Sequence, residues 1–160
     1  MSDLLVRLYD LPPLEPALER VRAAGLCVRR ADPWDRRKVV EFTSREFSEN
    51  WGDEIQMAFG HHPISMFVAD DVAGEIKGFA AYHCTLLDFF GPEGVLEELR
   101  GKGVGAALLL ACLHAMRSEG YGYAIIGWAG PIDFYKKICG ATVIEDSEPG
   151  VFQSLCRGRE

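Results

Sequence analysis

The sequence predicts an α/β fold with a mixed central β-sheet, and three observations carry that expectation. Short β-branched and aromatic runs alternate along the chain with longer segments of helical spacing. Two of these runs, Ile64 to Ala69 and Ile76 to Thr85, flank the polar turn Asp70-Asp71-Val72-Ala73-Gly74-Glu75, which makes them an antiparallel hairpin. A glycine-rich stretch around Gly103 then separates a strand from a long apolar helix.

The elements follow in order. Leu4 to Leu8 is a short apolar run suited to an edge strand, and Leu11-Pro12-Pro13 ends it. Pro16 sits where a first-turn proline is tolerated, and Leu14, Ala17, Leu18, Val21 and Ala24 recur at helical spacing up to a stop at Gly25. Leu26 to Arg30 reads as a strand. Asp32 and Pro33 form an N-cap and first-turn pair that opens a helix from about Trp34 to Glu49. A second short helix over Trp51 to Phe59 ends at Gly60-His61-His62-Pro63. After the hairpin, Leu86 to Leu96 reads as a strand in which Gly91-Pro92 and Gly94 predict a bulge or a splayed end. The apolar helix runs to about Glu119. A strand at Tyr123 to Ile126, a helix at Ile132 to Ile138, a strand at Ala141 to Ile144 and a last short strand at Val151 to Leu155 complete the chain.

Composition narrows the function. At 160 residues with 48% hydrophobic and 26% charged content, the chain reads as one globular domain with a sizeable core. A net charge of −7 argues against a general nucleic-acid binder, which needs a basic field. No apolar stretch reaches transmembrane length, and Met1-Ser2-Asp3 does not open a basic-then-apolar signal, so a cytoplasmic location without membrane attachment is expected. The five cysteines are scattered, without a metal-type pair, and read as reduced thiols. His61 and His62 are neighbours on a loop that point apart, with no carboxylate at ligand spacing. They suit a capping or lid role, and no metal is expected.

The chemistry is concentrated at Leu99-Arg100-Gly101-Lys102-Gly103-Val104-Gly105-Ala106. Glycine lets a ligand approach main-chain N–H groups, and the first N–H groups of a helix lack internal partners and carry partial positive charge. Arg100 and Lys102 add formal charge, so the stretch suits a phosphate or pyrophosphate. A nucleotide-triphosphate loop needs Ser or Thr after the Lys, where this chain has Gly103. A dinucleotide fingerprint belongs to the first βαβ unit, and this stretch lies past the middle of the chain.

The stretch resembles the acyl-CoA loop of the GNAT acetyltransferase superfamily, whose pattern Arg/Gln-x-x-Gly-x-Gly/Ala is matched by Arg100, Gly103 and Gly105. A second likeness lies at Phe134-Tyr135-Lys136-Lys137-Ile138-Cys139-Gly140-Ala141, similar to the family's aromatic-Tyr-x-x-x-Gly-aromatic stretch. Cys139 is an extra residue there, Ala141 replaces an aromatic, Trp128 stands in place of a frequent Asn, and Gly130-Pro131 alters the helix start. The resemblance spans about Leu26 to Phe152. It leaves residues 1–25 as an N-terminal extension, of strand plus helix, for packing on the 26–160 acyltransferase domain or for homodimer contacts. It implies a GNAT fold with a splayed strand pair, and acetyl-CoA as co-substrate. The implied activity is transfer of the acetyl group to a primary amine of a small molecule or peptide by direct attack in a ternary complex.

The resemblance also assigns residues. The N–H groups of Lys102, Gly103, Val104, Gly105 and Ala106 hold the pyrophosphate, with Arg100 adding charge and Gly101 also among the cofactor-binding residues. Val95 and Leu96 offer a strand edge to the pantetheine arm, flanked by Phe134 and Lys137. Tyr135 protonates the leaving thiolate, and Glu93, two residues before Val95, is the first candidate for the base. Glu97 and Glu98 shape the loop, while Asp88 and His83 lie further back as alternatives. Cys84 and Cys139 are disfavoured as acyl carriers because no His stands in a partner relation to them. Trp34, Phe47, Trp51, Phe59, Phe67, Tyr82, Phe89 and Phe90 are expected around an acceptor pocket with apolar walls. A non-catalytic acyl-CoA-binding module and a nucleotide-binding regulator are the alternative functions.

Overall fold

In the computed structural model, which describes residues 1–156, strand β1 (Leu4–Arg7) leads through a 3₁₀ turn to α1 (Glu15–Ala23) and β2 (Leu26–Arg30). Helices α2 (Arg36–Glu46) and α3 (Glu49–Ile55) precede the meander β3 (Met66–Asp71), β4 (Ile76–Tyr82) and β5 (Phe89–Val95). The long helix α4 (Val104–Ser118) follows, then β6 (Tyr123–Ile126), α5 (Ile132–Cys139), β7 (Thr142–Val143) and α6 (Val151–Cys156). The strands form one seven-stranded sheet in the order β2-β3-β4-β5-β6-β1-β7. All its pairings are antiparallel except that of β5 with β6.

Strand alternation sorts side chains to the two faces. Met66, Val68, Phe79 and Ala81 pack with Val39, Phe42 and Ile55 beneath α2 and α3. Phe67, Ala69, Ala80 and Tyr82 turn the other way, toward α4. Helix α4 carries Leu108, Leu109 and Leu113 fully buried against that face, with α1 and α5 beside it. Each such leucine stabilises the fold by roughly 1.5–3 kcal/mol through area removed from water. A helix apolar on nearly every side is one covered on nearly every side.

Polar groups set the helix starts. Asp32 accepts the Trp34 N–H at 2.9 Å while Asp35 accepts the Asp32 N–H at 2.9 Å, a capping box around the 3₁₀ turn Pro33–Asp35. The expected helix therefore begins at Arg36 rather than Trp34. It ends at Glu46 because Ser48 opens α3, its Oγ accepting the Trp51 N–H at 3.2 Å. Arg29 donates to both oxygens of Asp35, at 2.6 and 2.9 Å, and to Asp70 at 3.0 Å, tying this start to β2 and β3. The same guanidinium holds the Asp35 carboxyl below the usual carboxylate range.

The structure corrects three other expectations. Leu4–Arg7 is not an edge strand: β1 lies inside the sheet, paired with β6 over four residues and with β7 over two, and Leu4 and Val6 are fully buried. Val151 to Leu155 is helix, not strand, because β1 already fills the row beside β6 and Phe152 packs over Gly127 instead. The strand expected from Leu86 begins only at Phe89, since residues 83–88 form turns with His83 and Asp88 at φ of +60° and +68°. No helix among the described residues is long and apolar enough to cross a membrane.

Asp3 fastens the two ends of the described chain. One carboxylate oxygen accepts the Trp128 N–H at 3.0 Å and the other the Val151 N–H at 2.9 Å, and Asp3 itself is 7% exposed. Replacing Asp3 by Ala strands two N–H donors, so Asp3→Ala is expected to cost about 1–3 kcal/mol of unfolding free energy in urea melts. A cost near zero contradicts the tie.

Candidate active site

The parallel β5–β6 pair is hydrogen-bonded only at its beginning. Phe89 pairs with Ile125 and Phe90 with Ile126, after which the two strands separate. A register shift against β4 accompanies the break: Tyr82 faces Phe90 but Ala80 faces Glu93, so Gly91 and Pro92 together oppose Ala81. The splayed end expected at Gly91-Pro92 is present, and it opens a cleft between β5 and β6. Leu96 donates its N–H to Lys77 O at 3.1 Å on the β4 side. By the alternation of an antiparallel ladder, the main-chain groups of Val95 and Glu93 point the other way, to the open edge.

The glycine-rich stretch closes one end of this cleft. Gly101 and Gly103 have φ of +78° and +84°, and Gly103 is the N-cap of α4. The first helical bond runs from Ala107 N to Gly103 O, which leaves the N–H groups of Val104, Gly105 and Ala106 without helical acceptors. Arg100 and Lys102 are exposed beside them. A Cβ added at Gly105 would stand 3.4 Å from Glu93 Oε1, 3.7 Å from Phe134 Cζ and 3.8 Å from Val95 Cγ2. The loop, β5 and α5 thus converge on one point, which no spacing in the sequence reveals.

Sequence reasoning missed one residue of this seat. Arg20, on α1, donates to Gly101 O at 3.0 Å and lies over Gly103, its Cδ 2.9 Å from an ideal Cβ there. Arg20 is 81 residues from Gly101, and as one of two arginines on α1 it carries no local signal. Gly103 is glycine for two reasons, its left-handed φ and this close approach.

Glu93 and Tyr135 lie close enough in the cleft for the carboxylate charge to act on the phenol. Glu93 Oε1 is buried without a hydrogen-bond partner, and desolvation lifts its carboxyl well above the usual carboxylate range. Tyr135 is buried, with its ring 5.2 Å from Phe134 and 6.3 Å from Phe90. Burial, aided by the nearby Glu93 charge, raises its phenol, which stays protonated across the physiological range. Burial likewise pushes the Cys84 thiol to about 12 and the Cys139 thiol to about 11. Neither sulfur is a thiolate at neutral pH, which weighs against both as acyl carriers. Lys137 is exposed on α5.

The aromatic residues do not line a single pocket. Phe47 and Trp51 stack on each other and against Phe79 on the α2–α3 face, with Phe59 partly buried nearby. Phe67, Tyr82 and Phe90 are packed toward α4, Phe89 meets Phe152, and Trp34 is 85% exposed. Among the described residues, no group of three or more His, Cys, Asp or Glu side chains is placed to hold a metal ion.

Comparisons with known proteins bear on the fold and the family. The family model for the acetyltransferase (GNAT) family matches residues 32–141. No curated protein sequence matches the chain. Among solved structures, a GCN5-related glucosamine N-acetyltransferase region of a fungal multi-domain GH3 β-N-acetylglucosaminidase aligns with a TM-score of 0.74 at 19% identity, over 89% of this chain and 19% of that one. A GCN5-related N-acetyltransferase from Sphaerobacter thermophilus gives 0.68 at 20% identity, over 89% of this chain and 48% of that one. The chain thus spans less than half the length of either protein. A GNAT family acetyltransferase from Brucella melitensis, in complex with acetyl-CoA, gives 0.55 at 18% identity, over 74% of this chain and 86% of that one. With the family model covering most of the chain and the fold shared, the chain belongs to the GNAT acetyltransferase family.

Proposed function

We propose that this chain is an N-acetyltransferase that uses acetyl-CoA and acetylates a primary amine by direct attack in a ternary complex. The observation that carries the reading is the convergence of the α4 N-terminus, the open edge of β5 and the unpartnered Glu93 carboxyl at Gly105. These residues suit a coenzyme that is anionic at one end and amide-rich along its arm. The free N–H groups of Val104, Gly105 and Ala106, with Arg100 and Arg20, take the phosphates. Val95 offers its main-chain groups to the arm as an added strand would. The Brucella melitensis relative bound to acetyl-CoA supports the choice of donor. Residues 26–160 are, on this reading, the acyltransferase unit, and the 25 residues before it contribute β1 to the sheet and Arg20 to the phosphate seat.

When bound, acetyl-CoA supplies a thioester activated for acyl transfer. Glu93, its basicity raised by burial, accepts the proton of the attacking amine at its carboxylate. Tyr135 keeps its proton until a thiolate needs one. A main-chain N–H at the open β5 edge polarises the acyl carbonyl oxygen.

Calorimetric titration with acetyl-CoA should show saturable binding, with ATP and NAD as non-binding controls. Gly103→Glu, which puts bulk and negative charge on the seat, should abolish that binding, and Arg20→Ala should weaken it about 3–10-fold, the scale of one charged contact. Retained affinity in a folded Gly103→Glu protein removes the phosphate seat. Tyr135→Phe should lower the rate of thiol release at least tenfold with acetyl-CoA affinity unchanged. An unchanged rate removes the acid assignment.

The pH dependence has a definite sign. A carboxyl whose pKa is raised by folding binds more protons folded than unfolded, so its contribution to stability falls as pH rises from about 4.3 through the raised value. Glu93→Gln should therefore be stabilised relative to the parent protein by a margin that grows with pH in urea melts between pH 4 and 8. It should also lose the ascending limb of the pH–rate profile. A margin independent of pH contradicts the buried, raised carboxyl.

A further inference from the structure

A second polar cavity lies at the opposite end of α4 from the glycine-rich stretch. Its volume is about 270 Å³, and it is lined by His61, His62, Ser65, His83, Glu119 and Tyr121, with Leu87 and Pro63 as its apolar walls. A helix of fifteen residues separates the two ends by about 22 Å. Along the α4 side of the sheet, Tyr82 and Phe90, a buried cross-strand pair, come before Ala80 and Glu93. The cavity is therefore distinct from the β5–β6 cleft.

Its centre is a carboxylate that no Lys or Arg among the described residues touches directly. Glu119 Oε1 accepts the Tyr82 hydroxyl at 2.6 Å and Oε2 accepts from His83 Nε2 at 3.3 Å. His83 Nδ1 accepts the Asp88 N–H at 2.9 Å, so the ring carries its proton on Nε2, and burial keeps it neutral. Arg30 is bound to the Tyr82 hydroxyl at 2.9 Å and to Ile64 O at 2.6 Å. Among the described residues, His83 is the one basic side chain within ion-pair distance of the Glu119 carboxylate. Glu119 is also the C-cap of α4, where the partial negative charge of the helix end disfavours an anion.

Two independent features mark a built site. Ser65 is 1% exposed, lines the cavity, and its Oγ has no hydrogen-bond partner. His83 holds a left-handed φ of +60°, costly for a side chain of its size, with its main-chain oxygen 3.2 Å from His61 Nε2. Tyr121 also lines the cavity, its ring centroid 5.0 Å from that of His83, and the face of a Tyr ring attracts cations. No Lys or Arg lines the cavity, which argues against an anionic ligand.

The geometry points to a binding site for a small organic cation, an ammonium carried on a short apolar or aromatic body, seated on Glu119 with Ser65 as a second hydrogen-bond partner. The site does not depend on the acetyltransferase reading and is tested without coenzyme.

The experiment is a ¹H–¹⁵N NMR titration of the full chain with n-butylammonium chloride, using n-butanol and butyrate as neutral and anionic controls. Butylammonium should produce saturable shifts at the amides of Ser65, His83 and Tyr121, and the controls should not. Glu119→Gln should weaken binding at least tenfold. Leu87→Trp, a change at an exposed wall that leaves the core intact, should do the same by filling the mouth. The proposal fails if no shift saturates, if the controls bind equally, or if the shifts map to Glu93 and Gly103 instead. Unchanged affinity in either folded variant also overturns it.

Discussion

The structure depends on the early end of pairing between β5 and β6. Two parallel strands that continued in register would fill the middle of the sheet and leave no cleft. Here Gly91 and Pro92 oppose one residue of β4, and proline has no N–H to offer a ladder. Gly94 reinforces the bend: a Cβ there would lie 2.6 Å from the Phe47 ring, so β5 can lean on α2–α3 only without a side chain at that position. The open edge, the burial of Glu93 Oε1 and its approach to Gly105 all lie at this single irregularity.

Helix α4 then organises charge at both of its ends. Its N-terminus collects Arg20, Arg100 and Lys102 around free N–H groups, a concentration of positive potential in an otherwise acidic protein. Its C-terminus carries Glu119, held by neutral donors against the helix dipole. The fully buried leucines between them keep the two ends rigidly related without an intervening polar path. Positive and negative side-chain charge are thus separated by the length of one apolar helix.

Buried carboxyls divide by their partners. Asp35 is held ionised by a bidentate guanidinium and secures the fold. Glu93 has desolvation and no partner, an arrangement that lowers stability and that a purely structural position would replace with an apolar residue. The contrast separates a group that holds the scaffold together from one suited to moving a proton.

Much was legible in the chain itself. The β3–β4 hairpin, the splayed end at Gly91-Pro92, the left-handed glycines before α4 and the helix of Phe134 and Tyr135 all follow from local chemistry: turn residues, missing side chains, missing N–H groups and apolar periodicity. Only tertiary structure decided that Leu4–Arg7 lies inside the sheet, because a strand of three apolar residues and an arginine carries no record of how many neighbours it will have. It likewise turned Val151–Cys156 into helix once β1 held the row beside β6. Arg20 reached Gly103, and Glu119 met His83 and Tyr82, across 36 residues or more of chain. Sequence spacing specifies which face of an element a residue occupies. Which distant faces come together is settled by the burial of both against a common core.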